Sequence, residues 1–232
     1  MKIRTLLESL DVAFSMYSAI PMPQIEWNER NMKYMMAFFP MVGVVQGALL
    51  LGFSLLAQAL GLGFVLFAAV AALLPLFVTG GIHLDGFCDT VDALSSHQTR
   101  EKKLEILKDP HTGAFAVMGC VAYLLLTFAL WTQPQGSGRW LTVQMMAVGF
   151  VLSRSMSALS VVSFPCAKSS GLVHSFSSAA QKRNVRIAAA VFAAACVLLW
   201  LLSAQLLVLL PDVTKAVWRH HRRPCRILFA AE

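Results

Sequence analysis

Charge is what this sequence has least of: Asp, Glu, Lys and Arg make up 13% of its 232 residues, while 57% are hydrophobic and the mean hydropathy is +0.66. Soluble domains carry about 25% charged residues, so a water-soluble fold is excluded and a polytopic membrane protein is implied. Paired cysteines are also missing. The five present (Cys88, Cys120, Cys166, Cys196 and Cys225) include no C-x-x-C, so they read as packing thiols and give no disulfide framework. At the N-terminus, Lys2 and Arg4 precede an apolar stretch that Glu8 and Asp11 interrupt, with no small-residue cleavage site after it. No cleavable signal peptide is expected. The net charge of +7 is not the footprint of a nucleic-acid binder. Residues 211–232 hold five basic and two acidic residues, and the other basic residues lie in short segments between apolar runs. Such segments face the cytoplasm and anionic lipid, and no nucleic-acid partner is expected.

What the chain has in quantity is apolar segments. Leu6, Leu7, Leu10, Phe14 and Tyr17 recur at helical spacing opposite Glu8, Asp11 and Ser15, which predicts an interfacial amphipathic helix over 6–17 that ends before Pro21 and Pro23. Spans follow over 34–60, 64–78, 114–131, 141–162 and 188–210. In the first of them Gly43 and Gly47 form a G-x-x-x-G pair that allows close helix approach, within one chain or between two in a homo-oligomer. The fold class expected is therefore all-α: a polytopic helical membrane bundle of about five spans plus the interfacial helix. Residues 1–210 read as the membrane-embedded domain and 211–232 as an atypical basic tail. Four Lys or Arg fall in each of 1–33, 80–113 and 163–186, against none near 61 and one in 133–139. The first three segments are expected in the cytoplasm, at a cell membrane.

Acidic residues are scarce as well, yet half of the twelve fall between Asp85 and Asp109. The stretch from Thr79 to Leu94 reads TGGIHLDGFCDTVDAL. On one helix, at about 100° per residue, Asp85, Asp89 and Asp92 fall within an arc of roughly 60°. Three carboxylates sharing a face point to a divalent cation, and hard oxygen ligands favour Mg²⁺; the alternative is a solvated helix start with Asp85 near a capping position. His83 falls on the other side of that helix, available for a local hydrogen bond or for substrate. Lys108, Asp109, His111, Thr112 and Gly113 are a candidate phosphate contact where the next span begins, or punctuation of the membrane boundary. Lys168, Ser169, Ser170 and Gly171 repeat that chemistry. Arg154 sits inside the fourth apolar segment, where a basic residue serves either a substrate phosphate or a structural ion pair. Because all these segments share one predicted side, a single enzymatic site can gather them.

Three blocks in order, TGGIHLDGFCDTVDAL from Thr79, EILKDPHTGAFAVMG from Glu105 and SFPCAKSSGLVHSFSSAA from Ser163, resemble the signature of the cobalamin synthase family, the adenosylcobinamide-GDP ribazoletransferases. FSMYSAIPMP from Phe14 and FFPMVGVVQGALL from Phe38 add to the match. The resemblance implies an integral membrane enzyme that uses Mg²⁺ to join adenosylcobinamide-GDP to α-ribazole or its 5′-phosphate, with release of GMP. By that resemblance Asp85, Asp89 and Asp92 would hold the metal, one of them taking the attacking hydroxyl's proton, and Lys108, Arg154 and Lys168 would neutralise phosphate charge. Where many relatives carry Ser-Arg, this chain has Pro110-His111. The resemblance also implies a further C-terminal membrane portion with a Gly-Gly-x-x-Gly-Asp motif, so a truncated or frameshifted C-terminus is expected here. A CDP-alcohol-type phosphotransferase or a transporter are the other readings that clustered acids in a membrane chain allow.

Overall fold

The structure, a computed structural model, describes residues 3–134, 137–166 and 171–209. Lys168 and the tail beyond 210, both singled out from the sequence, lie outside the described residues. All regular structure among the described residues is helical. Two short amphipathic pieces come first, α1 (Ile3–Tyr17) and α2 (Glu29–Met32). They are followed by α3 (Met35–Ala59), α4 (Phe64–Thr79), α5 (Ile82–Ser95) and α6 (Arg100–Ile106). The chain continues through α7 (Ala114–Trp131), α8 (Ser137–Ser163), α9 (Leu172–Ala179) and α10 (Lys182–Leu209). Four of these (α3, α7, α8 and α10) are long and apolar enough to cross a membrane, and α4 with α5 makes a fifth candidate bent by 94°. The protein is thus a polytopic helical membrane bundle.

Helix α3 is its axis, and the reason is glycine. A Cβ at Gly43 would lie 2.6 Å from the carbonyl oxygen of Phe150, and one at Gly47 2.7 Å from that of Ala147. The G-x-x-x-G pair is therefore spent inside the chain, letting the backbones of α3 and α8 meet where no side chain fits. Two buried clusters sit at the two ends of α3. Met35, Met36, Phe39 and Val42 pack with Ala158 and Val162 of α8 and Val185 and Ala189 of α10. At the far end Leu50 and Ala57 pack with Phe67, Ala68 and Ala71 of α4, and with Trp131. Outward faces stay apolar: Leu125, Leu126 and Leu130 on α7 and Leu198 and Leu201 on α10 are all more than half exposed, as lipid-facing positions should be.

α1 departs from expectation in one respect. It docks on the bundle through Thr5, Ser9, Val12 and Ala13, all buried, while Leu7 faces outward. Leu7 is left for lipid, as in an interfacial helix, while Phe14 and Tyr17 of the predicted apolar face pack against the buried cluster.

The corner between α4 and α5 also depends on backbone freedom. Gly80 (φ +62°) ends α4 and Gly81 (φ +82°) starts α5, both left-handed, and the Gly81 amide donates to the carbonyl of Leu76 at 3.0 Å. Consecutive left-handed residues are accessible to glycine at little cost. The result turns the acidic helix away from the span that precedes it.

Replacing Gly47 by Val should cost roughly 2 kcal/mol or more through overpacking and lower the thermal midpoint in detergent. Gly52→Ala is the control: in the same helix its added Cβ meets nothing within 4 Å, so the midpoint should stay level or rise.

Candidate functional site

The acidic helix forms as the spacing predicts, but its three aspartates do different things. The Asp92 carboxylate reaches across to the start of α7, where Oδ2 accepts the Gly113 amide at 2.6 Å and Oδ1 the Ala116 amide at 2.8 Å. Gly113 has no side chain to cap α7 itself, and a Cβ there would fall 2.6 Å from Asp92 Oδ2. Asp92 is therefore the helix cap, supplied from another element. The same contact occupies the Gly113 amide that the sequence offered to phosphate.

Asp85 and Asp89 are left with no ion-pair partner among the described residues. The negative charges of Asp85 and Asp92 act on the Asp89 carboxylate, and like charges so close together favour an added cation. No group of three or more His, Cys, Asp or Glu among the described residues is arranged to hold a metal ion. Two carboxylates alone, those of Asp85 and Asp89, would leave such an ion to complete its shell with water or phosphate oxygens.

On the other side of α5 lies a cavity of about 380 Å³. His83, Leu84 and Phe87 of α5 form one wall and Phe150, Ser153, Arg154 and Ser157 of α8 another. Arg154 is 8% exposed, its enclosed Nε has no hydrogen-bond partner, and no carboxylate pairs with it among the described residues. Its guanidinium lies 5.9 Å from the Phe150 ring, a minor compensation for a buried charge. His83 stands beside the paired rings of Tyr17, at 6.0 Å, and Phe39, at 5.9 Å. The Arg154 charge is close enough to act on the imidazole. The cavity has no acidic lining residue and one unmatched positive charge.

The second predicted cluster stays at the surface. Asp109 Oδ1 accepts from the His111 amide at 2.9 Å and pairs with His111 Nδ1 at 2.6 Å, closing a tight turn. That turn, backed by the His111 ring, lowers the Asp109 carboxyl below its ordinary value. Lys108 and Thr112 are exposed beside it. The structure thus brings His83 and Arg154 together, and groups Asp85 with Asp89. Sequence reasoning missed Phe87, Ser153, Ser157 and Tyr123. Ser157 and Phe150 stand at i+3 and i−4 from Arg154, so a helical projection around that arginine would have found them. It also missed a wider cleft of about 700 Å³ lined by Arg30, Lys33, His174 and Ser175, which no local motif announces.

Fold and site together define a polytopic helical membrane protein with a carboxylate face on one side of a short helix and a buried cationic cavity on the other. Residues 9–225 match the sequence family described as Cobalamin-5-phosphate synthase, and the chain belongs to that family. A relative from Lachnoclostridium phytofermentans, named adenosylcobinamide-GDP ribazoletransferase, is 43% identical over 90% of this chain and 78% of its own length. Relatives of the same name from Fusobacterium nucleatum (32% identical, 70% of this chain, 60% of theirs) and Clostridium perfringens (42%, 53% and 49%) are also similar. The chain spans about half the length of the Clostridium relatives it matches. No solved structure matches it. The family is one of transferases by the names its members carry.

Asp92→Ala should remove both amide contacts and cost about 1–2 kcal/mol. Gly113→Ala should cost a similar amount by displacing the same carboxylate. In a double-mutant cycle read by thermal or denaturant unfolding the two losses should overlap strongly; fully additive losses would mean that the contact is not shared.

Proposed function

We propose that the protein is an adenosylcobinamide-GDP ribazoletransferase that works with Mg²⁺ at the cytoplasmic face of the cell membrane. The observation that carries this reading is the match to the family over nearly the whole chain, together with 43% identity to a protein of that name. The geometry supports it in kind. A reaction on a pyrophosphate needs a place for metal and a place for unshared anionic charge, and α5 separates one of each.

In this reading a ribose hydroxyl of α-ribazole, or of its 5′-phosphate, attacks the phosphorus that carries adenosylcobinamide. A new P–O bond forms, the pyrophosphate bridge breaks, and GMP leaves with the electron pair. Asp85 and Asp89 would hold Mg²⁺, which supplies charge neutralisation on the phosphates when bound. The attacking hydroxyl's proton would pass to one of these carboxylates. His83 offers a ring nitrogen to substrate. Arg154 is available to a phosphate, and Lys108 and Lys168, on segments with basic character, to the outer phosphates of the nucleotide. Orientation rests on the excess of Lys and Arg in segments 1–33, 80–113 and 163–186.

Membranes or detergent-purified protein supplied with adenosylcobinamide-GDP and α-ribazole should form a cobalamin product and GMP with Mg²⁺ and none after EDTA. Asp89→Asn should reduce turnover at least a hundredfold while leaving the thermal midpoint at pH 7.5 equal or higher, because a repelled charge is removed. Full turnover in Asp89→Asn, or turnover in EDTA, would overturn the metal assignment.

A further inference from the structure

The cavity and the acidic face lie on opposite sides of α5. His83, Leu84 and Phe87 line the cavity, and by helical geometry they are centred roughly 160° from Asp85, Asp89 and Asp92. A reaction that uses both sides needs a way round the helix. One edge is closed by α7: Asp92 meets Gly113, the Val91 side chain approaches Gly119 to 3.1 Å of a built Cβ, and the Phe87 and Tyr123 rings stand 5.6 Å apart. The other edge runs through Gly86 and Thr90 and is exposed. A Cβ at Gly86 would meet nothing within 4 Å, and its φ is not among the positive ones. Neither backbone conformation nor packing therefore requires glycine at this interior helix position, where glycine is among the poorest residues. What remains is room for a ligand.

The cavity's size and chemistry say which ligand. About 380 Å³ is at the small end of small-molecule sites, which run roughly 300–1,000 Å³: enough for a mononucleotide, far too little for a corrinoid. Phe39, Phe87, Tyr123 and Phe150 offer ring faces to a bicyclic base. Arg154, more than nine-tenths buried and without an anionic partner among the described residues, needs an anion, which an unphosphorylated nucleoside lacks. We propose that this cavity is the subsite for the acceptor nucleotide, with Arg154 holding its 5′-phosphate and the Gly86 edge leaving its ribose a path to the carboxylates. The assignment rests on the transferase reading above and adds where the acceptor sits and why its phosphate is recognised.

Two measurements on the purified full chain test it. The first is equilibrium binding of α-ribazole 5′-phosphate and of α-ribazole, with no donor present. Wild-type protein should bind the phosphorylated form more tightly, inorganic phosphate should compete, and Arg154→Gln should lose about tenfold to a hundredfold in affinity for the phosphorylated form alone, with partial recovery in Arg154→Lys. The second is steady-state kinetics. Arg154→Gln should raise KM for the phosphorylated acceptor while KM for adenosylcobinamide-GDP stays within about twofold, and Gly86→Leu should lower kcat/KM at least tenfold with no fall in thermal midpoint. Equal loss for both acceptors, a shift confined to the donor's KM, or an unaffected Gly86→Leu would overturn the subsite. Wild-type binding of the acceptor without any transferase turnover would instead sink the transferase reading and leave the subsite standing.

Discussion

The contact on which the site depends is the Asp92 carboxylate seated on the first amides of α7. A helix that begins inside a membrane protein leaves several backbone N–H groups without partners, and Gly113 offers no side chain to satisfy them. Asp92 supplies both the acceptors and a charge matched to the helix dipole. In doing so it fixes the rotation of α5 about its own axis. Once Asp92 points at α7, His83 must face the cavity and Asp85 and Asp89 must face away from it. The Gly80–Gly81 corner sets the direction of α5, and Asp92 sets its face.

The membrane architecture was legible because it follows from apolar run length. The span predicted over 114–131 is α7 residue for residue, that over 34–60 overshoots α3 by one residue at each end, and that over 64–78 stops one residue short of the end of α4. Run length does not say which way a helix faces inside the bundle. The apolar stripe of α1 read as that of an interfacial helix, but the residues that dock it on the bundle, Thr5, Ser9, Val12 and Ala13, are not marked by that pattern. Asp92 shows the same limit. Its place on the acidic arc was readable, whereas its partner 21 residues away in sequence was not. Arg154 was visible as a basic residue in an apolar run, yet the absence of any carboxylate beside it among the described residues is a fact about four other helices.

Two electrostatic imbalances of opposite sign sit on the two sides of α5. One is the carboxylate cluster, in which the charges of Asp85 and Asp92 act on Asp89; the other is a guanidinium whose enclosed Nε has no partner among the described residues. Folded chains rarely tolerate either without a partner, and direct pairing of the two is prevented because they point apart around one helix. The imbalance persists because the fold holds the charges in place, and only added groups, a cation on one side and an anion on the other, resolve it. A phosphate-bearing substrate with a divalent ion brings both.

An unmatched buried Arg154 also ties occupancy to stability. Any anion that enters the cavity does so only when the chain is folded, since the unfolded chain hydrates its arginine and has no cavity to offer. By linkage, each increment of binding is an increment of folding free energy. An anion that binds Arg154 would therefore add to the chain's folding stability, which outside the membrane would depend on that anion's concentration as well as on the bundle's own packing.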